Sequence, residues 1–128
     1  MNLPDITIGP SFTHDGHLFE LRGDRIVRDG TEVCVLISPG FGAGFVTWCD
    51  GVSPFEPRIV ALVLTGHRDL LADADTDEVR EWLGAEHVYL GGAGQLTVQY
   101  VPLGVAFDIN DYDGSESLVL ATELPWTA

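Results

Sequence analysis

The chain has 128 residues, 45% of them hydrophobic, which is typical of a single domain with its own core. It contains no lysine, and its six arginines stand against 20 aspartates and glutamates, so the formal net charge is −14. A chain with this charge is repelled by the phosphates of nucleic acids and by anionic membrane surfaces. The composition argues against a protein that binds either of them directly.

Sequence patterns also argue against membrane insertion and secretion. The longest uninterrupted apolar run, 59–64, has six residues, whereas a membrane helix needs about 18 to 20. The first residues, Met-Asn-Leu-Pro-Asp, lack the basic and apolar regions of a signal peptide. We expect a cytoplasmic protein in which Cys34 and Cys49 are buried thiols rather than a disulfide.

Strands joined by turns are predicted for the N-terminal part. Residues 1–16 are rich in proline and glycine, which predicts one edge strand at Ile6–Ile8 within a loosely structured N-terminal segment. Asp29-Gly30 separates two strand-like runs, and both residues readily adopt positive φ, so a hairpin is predicted there. The unbroken apolar run 33–37 predicts a central strand covered on both faces.

Two helices are predicted for the middle of the chain. The first begins at either Ser53 or Glu56, each of which is followed by proline, and a strand over 59–64 is the alternative. The second has Asp75 as its N-cap and ends at Gly84.

A sheet of alternating strands is predicted for the C-terminal part. Apolar and polar residues alternate over 96–100 and again over 105–110, on either side of Pro102-Leu103-Gly104, and Asp113-Gly114 predicts a second hairpin before a last strand at 116–121. No linker or repeat divides the chain. The expected fold is a single α+β domain over 1–128, with an antiparallel or mixed β-sheet and two helices.

Three separated motifs carry a resemblance. They are Ile-Ser-Pro-Gly-Phe-Gly-Ala-Gly-Phe-Val-Thr-Trp at 37–48, the stretch from Gly-Gly at 91–92 to Tyr100, and Pro-x-Gly-x-x-Phe-x-Ile-x-x-Tyr-Asp-Gly-x-Glu-Ser at 102–117. In combination they resemble a family of small uncharacterised proteins encoded by bacteriophages and prophages, over roughly residues 31–121. The resemblance implies a phage origin, and hence the cytoplasm of a host cell, but no particular activity.

The glycine-rich loop after the predicted central strand is a candidate ligand site. Backbone N–H groups at closely spaced glycines can bind an anion, and a nearby tryptophan offers a face for a flat base. The GxGxG spacing differs from the dinucleotide fingerprint, and a purely structural loop is the alternative. Candidate ligand-binding residues are Gly40, Phe41, Gly42, Gly44 and Trp48 in the loop, and Arg25 and Arg28, whose charge would offset the repulsion of an anionic ligand.

Two groups of carboxylates are candidates for binding a basic partner. One lies between Asp69 and Glu86, and the other lies in the predicted C-terminal hairpin. Rows of carboxylates can imitate nucleic-acid phosphates, whereas a solvated face, acid–base chemistry and a divalent-cation site are the alternatives. In the hairpin, the candidate partner-binding residues are Asp108, Asp111, Tyr112, Asp113 and Glu116.

Weaker patterns do not predict catalysis or a bound cofactor. His14 and His17 have the spacing of a metal pair, and Cys49 could act as a nucleophile beside a histidine, but nothing local favours either role. The function expected first is a non-enzymatic acidic phage protein that inhibits or sequesters a host protein with a basic surface, as counter-defence. The alternatives are a protein that binds a small anionic ligand such as a nucleotide signal, and a small hydrolase or transferase. The sequence leaves homo-oligomer formation open.

Overall fold

Two antiparallel sheets and three helices form the single α+β domain that the sequence predicts. The structure, a computed structural model, describes residues 8–40, 44–112, 114–120 and 126–128. The first sheet has strand order β1-β2-β3-β4-β5 and the second β7-β6-β8. The strands are β1 (Ser11–His14), β2 (His17–Arg22), β3 (Arg25–Arg28), β4 (Glu32–Ile37), β5 (Thr97–Pro102), β6 (Ala106–Tyr112), β7 (Ser115–Leu120) and β8 (Trp126–Thr127). The helices are α1 (Pro57–Leu64), α2 (Asp69–Ala72) and α3 (Thr76–Leu83).

Tight turns connect the first four strands. Asp29 and Gly30 have φ of 52° and 72° and join β3 to β4, which confirms the predicted hairpin. Asp15 and Gly16, with φ of 49° and 78°, make an equivalent turn between β1 and β2. The prediction of a loosely structured segment is wrong from Ser11 onward, because this Asp-Gly pair supplies the same left-handed turn. Of the strand predicted at Ile6–Ile8, residues 6 and 7 lie outside the described residues and Ile8 is not in a strand.

Strand β4 is an interior strand of the first sheet, as the apolar run predicts. Residues 33–37 are all buried, with β3 on one side and β5 on the other. Helix α1 packs against β3, β4 and β5, and β7 also contacts β4. The core is therefore shared by both sheets and the helices.

Capping residues define the two longer helices. Glu56 is the N-cap of α1 and its side chain accepts the Arg58 N–H, so the Glu56 start is confirmed and the strand alternative is wrong. Asp75 caps α3 by accepting N–H groups at its first turn, and Gly84 ends it with φ of 69°, as predicted. The third helix, α2, lies in the acidic stretch and was missed because four residues carry too little periodicity to be recognised. Among the described residues, no helix is both long and apolar enough to cross a membrane.

The second sheet carries the other predicted hairpin. Tyr112 pairs with Ser115, which places a two-residue turn at 113–114. Gly114 has φ of 84°, whereas Asp113 lies outside the described residues. The buried side chains of Phe107 and Ile109 place one face of β6 in the core. Strand β8 pairs with the edge of β6 that lies opposite β7.

Candidate functional site at the glycine loop and the β6–β7 hairpin

The motifs that are far apart in the sequence meet in one place. The glycine loop, defined here as residues 38–48, leaves the end of β4 and passes beside the start of β7; residues 41–43 of it lie outside the described residues. Glu116 N–H donates to the Ser38 carbonyl at 2.9 Å, and the Ser115 hydroxyl donates to the Pro39 carbonyl at 2.7 Å. The Ser38 hydroxyl donates to the Gly92 carbonyl at 3.0 Å. All three motifs that carry the resemblance therefore contribute to a single junction.

A buried carboxylate holds this junction together. Glu116 is 1% exposed, and one of its oxygens, Oε1, accepts the Ser38 N–H at 2.8 Å. The other, Oε2, accepts the N–H groups of Phe45 and Thr47 at 3.1 and 2.7 Å and the Thr47 hydroxyl at 2.7 Å. Both ends of the glycine loop are thus bonded to one side chain. Hydrogen bonds to a carboxylate are stronger than those between neutral groups. We call this arrangement the Glu116 clamp.

The prediction that Glu116 belongs to a partner-binding surface is wrong. In the antiparallel register Glu116 lies opposite Asp111, and Leu118 lies opposite Ile109, so Glu116 shares the inward face of the hairpin. The alternation of Glu116 with Leu118 was the signal that could have placed it inside. It was outweighed by the acidic residues on either side of the turn.

Three backbone donors in the described part of the loop serve an internal contact. Glu116 takes the N–H groups of Ser38, Phe45 and Thr47, so these three are not open to an anionic ligand, whereas the predicted role of the glycine N–H groups stays a prediction. A Cβ on Gly44 would lie 2.8 Å from the Trp48 ring, so glycine at this position serves internal packing. Phe41 and Gly42, also candidates, lie outside the described residues.

Gly40 lies against a side chain that can move. A Cβ placed there would overlap the side-chain amide of Gln95, which reaches the loop from a short 3-10 turn at Ala93–Gln95 and is exposed. Because this amide can turn away, close packing accounts for glycine at position 44 but does not require it at position 40.

Arg25 and Arg28 are both engaged with the scaffold. The Arg25 guanidinium donates to the Thr127 carbonyl at 2.7 Å and lies 3.9 Å from the centre of the Phe55 ring. Arg28 donates to Glu32 at 2.7 Å and lies 3.4 Å above the Tyr100 ring, at the start of β4, whereas the loop leaves its other end. The prediction that Arg28 serves a ligand at the loop is therefore wrong, whereas a ligand role for Arg25 stays a prediction.

Trp48, predicted to bind a ligand, and Asp111, predicted to bind a partner, contact each other. Neither prediction anticipated this contact. The Trp48 indole Nε1–H donates to Asp111, and its ring packs on Tyr89 with centroids 4.8 Å apart. Asp111 also accepts the Gly114 N–H at 2.7 Å. Tyr112 is 77% exposed beside it. Asp111 and Tyr112 are the described hairpin candidates that stay at the surface near the turn.

A hollow of about 500 Å³ opens next to the glycine loop, and Asp108 is part of its wall. The hollow lies between the segment 46–53, strand β6 and strand β8. Its lining residues are Val46, Thr47, Cys49, Asp50, Gly51, Val52, Ser53, Asp108, Ile109 and Trp126.

Cys49 in this wall is a structural thiol. Its sulfur accepts the Tyr89 N–H at 3.2 Å, and burial raises the pKa of the thiol, so it stays protonated at neutral pH. Cys34 is buried in β4, and burial raises its pKa to about 12. Both cysteines are free, as predicted. The protonated state of Cys49 gives no support to a nucleophile.

The histidines near the first turn are held by carboxylates. His14 lies opposite His17 in the β1–β2 register, and His17 Nδ1 is 2.6 Å from the Asp29 carboxylate. Hydrogen bonding to His17 lowers the pKa of Asp29. Within the described residues, no three His, Cys, Asp or Glu side chains form a group that could hold a metal ion.

The largest acidic surface lies on α2, α3 and the turns around them. We call residues 69–86 the acidic segment. All seven of its carboxylate side chains are exposed: Asp69, Asp73, Asp75, Asp77, Glu78, Glu81 and Glu86. In the described part of the chain only Asp77 among them pairs with a cation, Arg80 at 3.3 Å.

Two arginines lie against this surface, but in the described structure they pair with none of its carboxylates: Arg58 donates to the Trp82 carbonyl at 2.7 Å, and Arg68 directly precedes Asp69. Arg68 donates to the Leu96 carbonyl at 2.8 Å, and the remaining arginines each pair with a carboxylate nearby in the sequence. These pairs are Arg22 with Glu20, Arg25 with Asp24, Arg28 with Glu32, and Arg58 with Glu56. The acidic segment therefore carries a negative field that its own chain leaves largely unneutralised.

Comparison of the chain with protein-family models, curated proteins and solved structures found no match.

Proposed function

We propose that the chain is a non-enzymatic binding protein that captures a partner with a basic surface through its acidic segment. The observation that carries the proposal is the set of seven exposed carboxylates in residues 69–86, of which only Asp77 has a cationic partner in the described structure. Such a surface attracts a basic partner over a distance and accelerates their association. Asp111 and Tyr112 add a smaller acidic and aromatic surface at the β6–β7 hairpin.

A partner that normally binds nucleic acid fits this surface well. Exposed carboxylates along two short helices present repeated negative charges to a groove that has evolved for phosphates. Together with the resemblance to phage proteins, this supports a host protein as the partner. Its inhibition or sequestration in the host cytoplasm would be the biological effect.

A binding role is supported over catalysis by the state of the reactive groups. Glu116 accepts four hydrogen bonds and is shielded from solvent, and the Cys49 thiol is kept protonated by burial. Neither is available to a substrate in this arrangement. An anionic ligand at the glycine loop gains no support from the N–H groups of Ser38, Phe45 and Thr47, because Glu116 occupies them.

Capture from a bacterial host lysate freed of nucleic acid tests the proposal. The immobilised chain should retain a stoichiometric protein that is released by salt and by duplex DNA, because the contacts are electrostatic. Association of that purified protein should then be measured with the triple variant Asp73→Asn, Glu78→Gln and Glu81→Gln. We expect its association rate to fall about tenfold, with little change in the fold.

A matched variant separates a local surface from the overall charge. The triple variant Asp15→Asn, Glu20→Gln and Asp24→Asn removes the same three charges from the β1–β3 end of the molecule. It should associate at a rate within about twofold of the parent chain. Equal slowing by both triple variants, or retention that is indifferent to salt, would argue that the acidic segment has no specific role.

A further inference from the structure

The hollow beside the glycine loop has the size and rigidity of a small-molecule site. Its volume of about 500 Å³ lies in the range of ligand pockets in proteins. Its walls are fixed from behind: the Glu116 clamp holds Thr47, and Tyr89 holds the Cys49 sulfur. The Trp126 ring stacks with Phe107, at 6.5 Å between centroids, and meets Phe55 edge-on at 5.8 Å. Because these walls are already ordered, the binding of a ligand would cost little conformational entropy.

The polar groups of the wall are mostly hydrogen-bond acceptors. Asp50 and Asp108 supply two carboxylates, and in the described structure neither forms an ion pair. The Thr47 hydroxyl already donates its hydrogen to Glu116, so toward the hollow it can only accept. Among the described residues that line the hollow there is no arginine or histidine. A donor-rich cation is the chemical complement of this wall, whereas an anion or a phosphate is not.

Apolar groups supply the rest of the lining. Val46, Val52, Ile109 and the indole of Trp126 offer surface to a hydrocarbon or aromatic body, and an indole face also attracts a cation. The negative net charge of the chain favours entry of a cation into an open hollow.

We propose that this hollow binds a small organic cation, an ammonium or guanidinium group attached to an apolar body. Asp50 and Asp108 bind the charged head, and Trp126 with its apolar neighbours packs on the body. The site lies on the glycine-loop segment, β6 and β8, apart from the acidic segment on α2 and α3. It takes a small molecule on its own, so its test does not depend on the capture of a basic partner.

Fluorine NMR on protein labelled with 5-fluorotryptophan provides the test. The three tryptophans give three resonances, which Trp48→Phe and Trp82→Phe assign to Trp126 by elimination. Benzylammonium, benzyl alcohol and benzoate carry the same ring on a positive, neutral and negative group. We expect benzylammonium to shift the Trp126 resonance saturably, with a dissociation constant at least about tenfold lower than that of benzyl alcohol. Benzoate should leave the resonance in place.

Three single variants locate the charge that matters. Asp108→Asn keeps an oxygen that can accept the Ile109 N–H, so the strand is preserved while the charge is lost. It and Asp50→Asn should each raise the dissociation constant of benzylammonium about fivefold. The control Asp73→Asn removes one charge from the acidic segment, outside the lining, and should change it by less than about twofold.

Two results would overturn the proposal. One is equal affinity for benzylammonium and benzyl alcohol, which would mean that only the apolar surface binds. The other is an effect of Asp73→Asn as large as that of Asp108→Asn and Asp50→Asn, which would mean that the general field of the protein attracts the cation without a site.

Discussion

The β1–β4 strands and the glycine loop are held in place in different ways. The turns of the β1–β4 segment are formed by their own residues: Asp15-Gly16 and Asp29-Gly30 adopt left-handed φ, and Gly23 does so between β2 and β3. The glycine loop is held by Glu116, which lies about 70 residues further along the chain, at separations of 78, 71 and 69 from its three backbone partners. The first region is specified locally, whereas the second exists only when the C-terminal hairpin is in place.

This difference predicts where the molecule is most vulnerable. Replacing a turn residue strains one connection between strands that remain paired. Removing the clamp frees buried donors at both ends of the loop and also disturbs the wall of the hollow, because Thr47 belongs to both.

Loss of the clamp should be the most damaging single change. Glu116→Ala leaves three backbone N–H groups without their acceptor, and we expect a loss of about 3–5 kcal/mol in the free energy of unfolding. Glu116→Gln should cost nearly as much, because its NH₂ group must face backbone donors on one side. Urea unfolding followed by circular dichroism measures both.

Asp111→Asn is the matched control, since Asp111 lies opposite Glu116 in the register but is exposed. It removes the same charge and keeps an acceptor, so it should cost less than about 1 kcal/mol. A Glu116→Gln variant as stable as Asp111→Asn would show that the loop does not depend on the clamp.

Alkaline pH should probe the central strand more strongly than the loop. Burial raises the pKa of the Cys34 thiol to about 12, from 9.0 for an ordinary cysteine. Below pH 9 the thiol is protonated in both the folded and the unfolded chain, and the folded state keeps its full stability. Between pH 9 and 12 the thiol ionises in the unfolded chain only, so the free energy of unfolding falls. At about pH 10.5 the loss should be on the order of 2 kcal/mol.

The comparison of Cys34→Ala with Cys49→Ala isolates this effect. Both variants retain Tyr100, whose pKa is also raised by burial, so its ionisation is common to them. The decline in unfolding free energy from neutral to alkaline pH should be shallower in Cys34→Ala than in the parent chain, and less altered in Cys49→Ala. Identical slopes in all three proteins would mean that Cys34 ionises freely in the folded state.

A turn substitution should have a smaller and local effect. Gly30 has φ of 72°, which a side chain with a Cβ adopts at a cost, so Gly30→Ala should lose about 1–2 kcal/mol. Gly30→Asn should lose less, because asparagine tolerates this conformation. Thermal and urea unfolding measure the difference. If Gly30→Ala were more damaging than Glu116→Ala, the contrast between the two regions would be reversed.

The same contrast explains which features the sequence could predict. Asp29-Gly30, the Asp75 cap and the Gly84 stop act on neighbouring residues, so their signals are legible in a short window. The Asp15-Gly16 pair carried an equal signal, but the surrounding prolines and glycines suggested a loosely structured segment instead.

The candidate site depends on contacts that no short window contains. Glu116 looked like part of an acidic surface because its partners lie about 70 positions earlier, and only its alternation with Leu118 indicated an inward side chain. Arg25 looked available for a ligand, whereas it reaches the Thr127 carbonyl, 102 residues away. Glu116 and Arg25 are both positioned by hydrogen-bond partners that lie far away in the sequence, and only the tertiary fold brings these partners close.

The contact between the loop and the hairpin surface should contribute least. Trp48→Phe removes the indole N–H that donates to Asp111 but leaves an aromatic ring to pack on Tyr89. Because Asp111 is exposed and can turn to water, the expected loss is only about 0.5–1 kcal/mol, measured by urea unfolding. Trp48→Ala should cost clearly more, since the packing on Tyr89 is then lost as well. Equal losses for the two variants would assign the whole contribution of Trp48 to its hydrogen bond. The stability of the loop would then depend on the exposed hydrogen bond between Trp48 and Asp111 as well as on the buried Glu116 clamp.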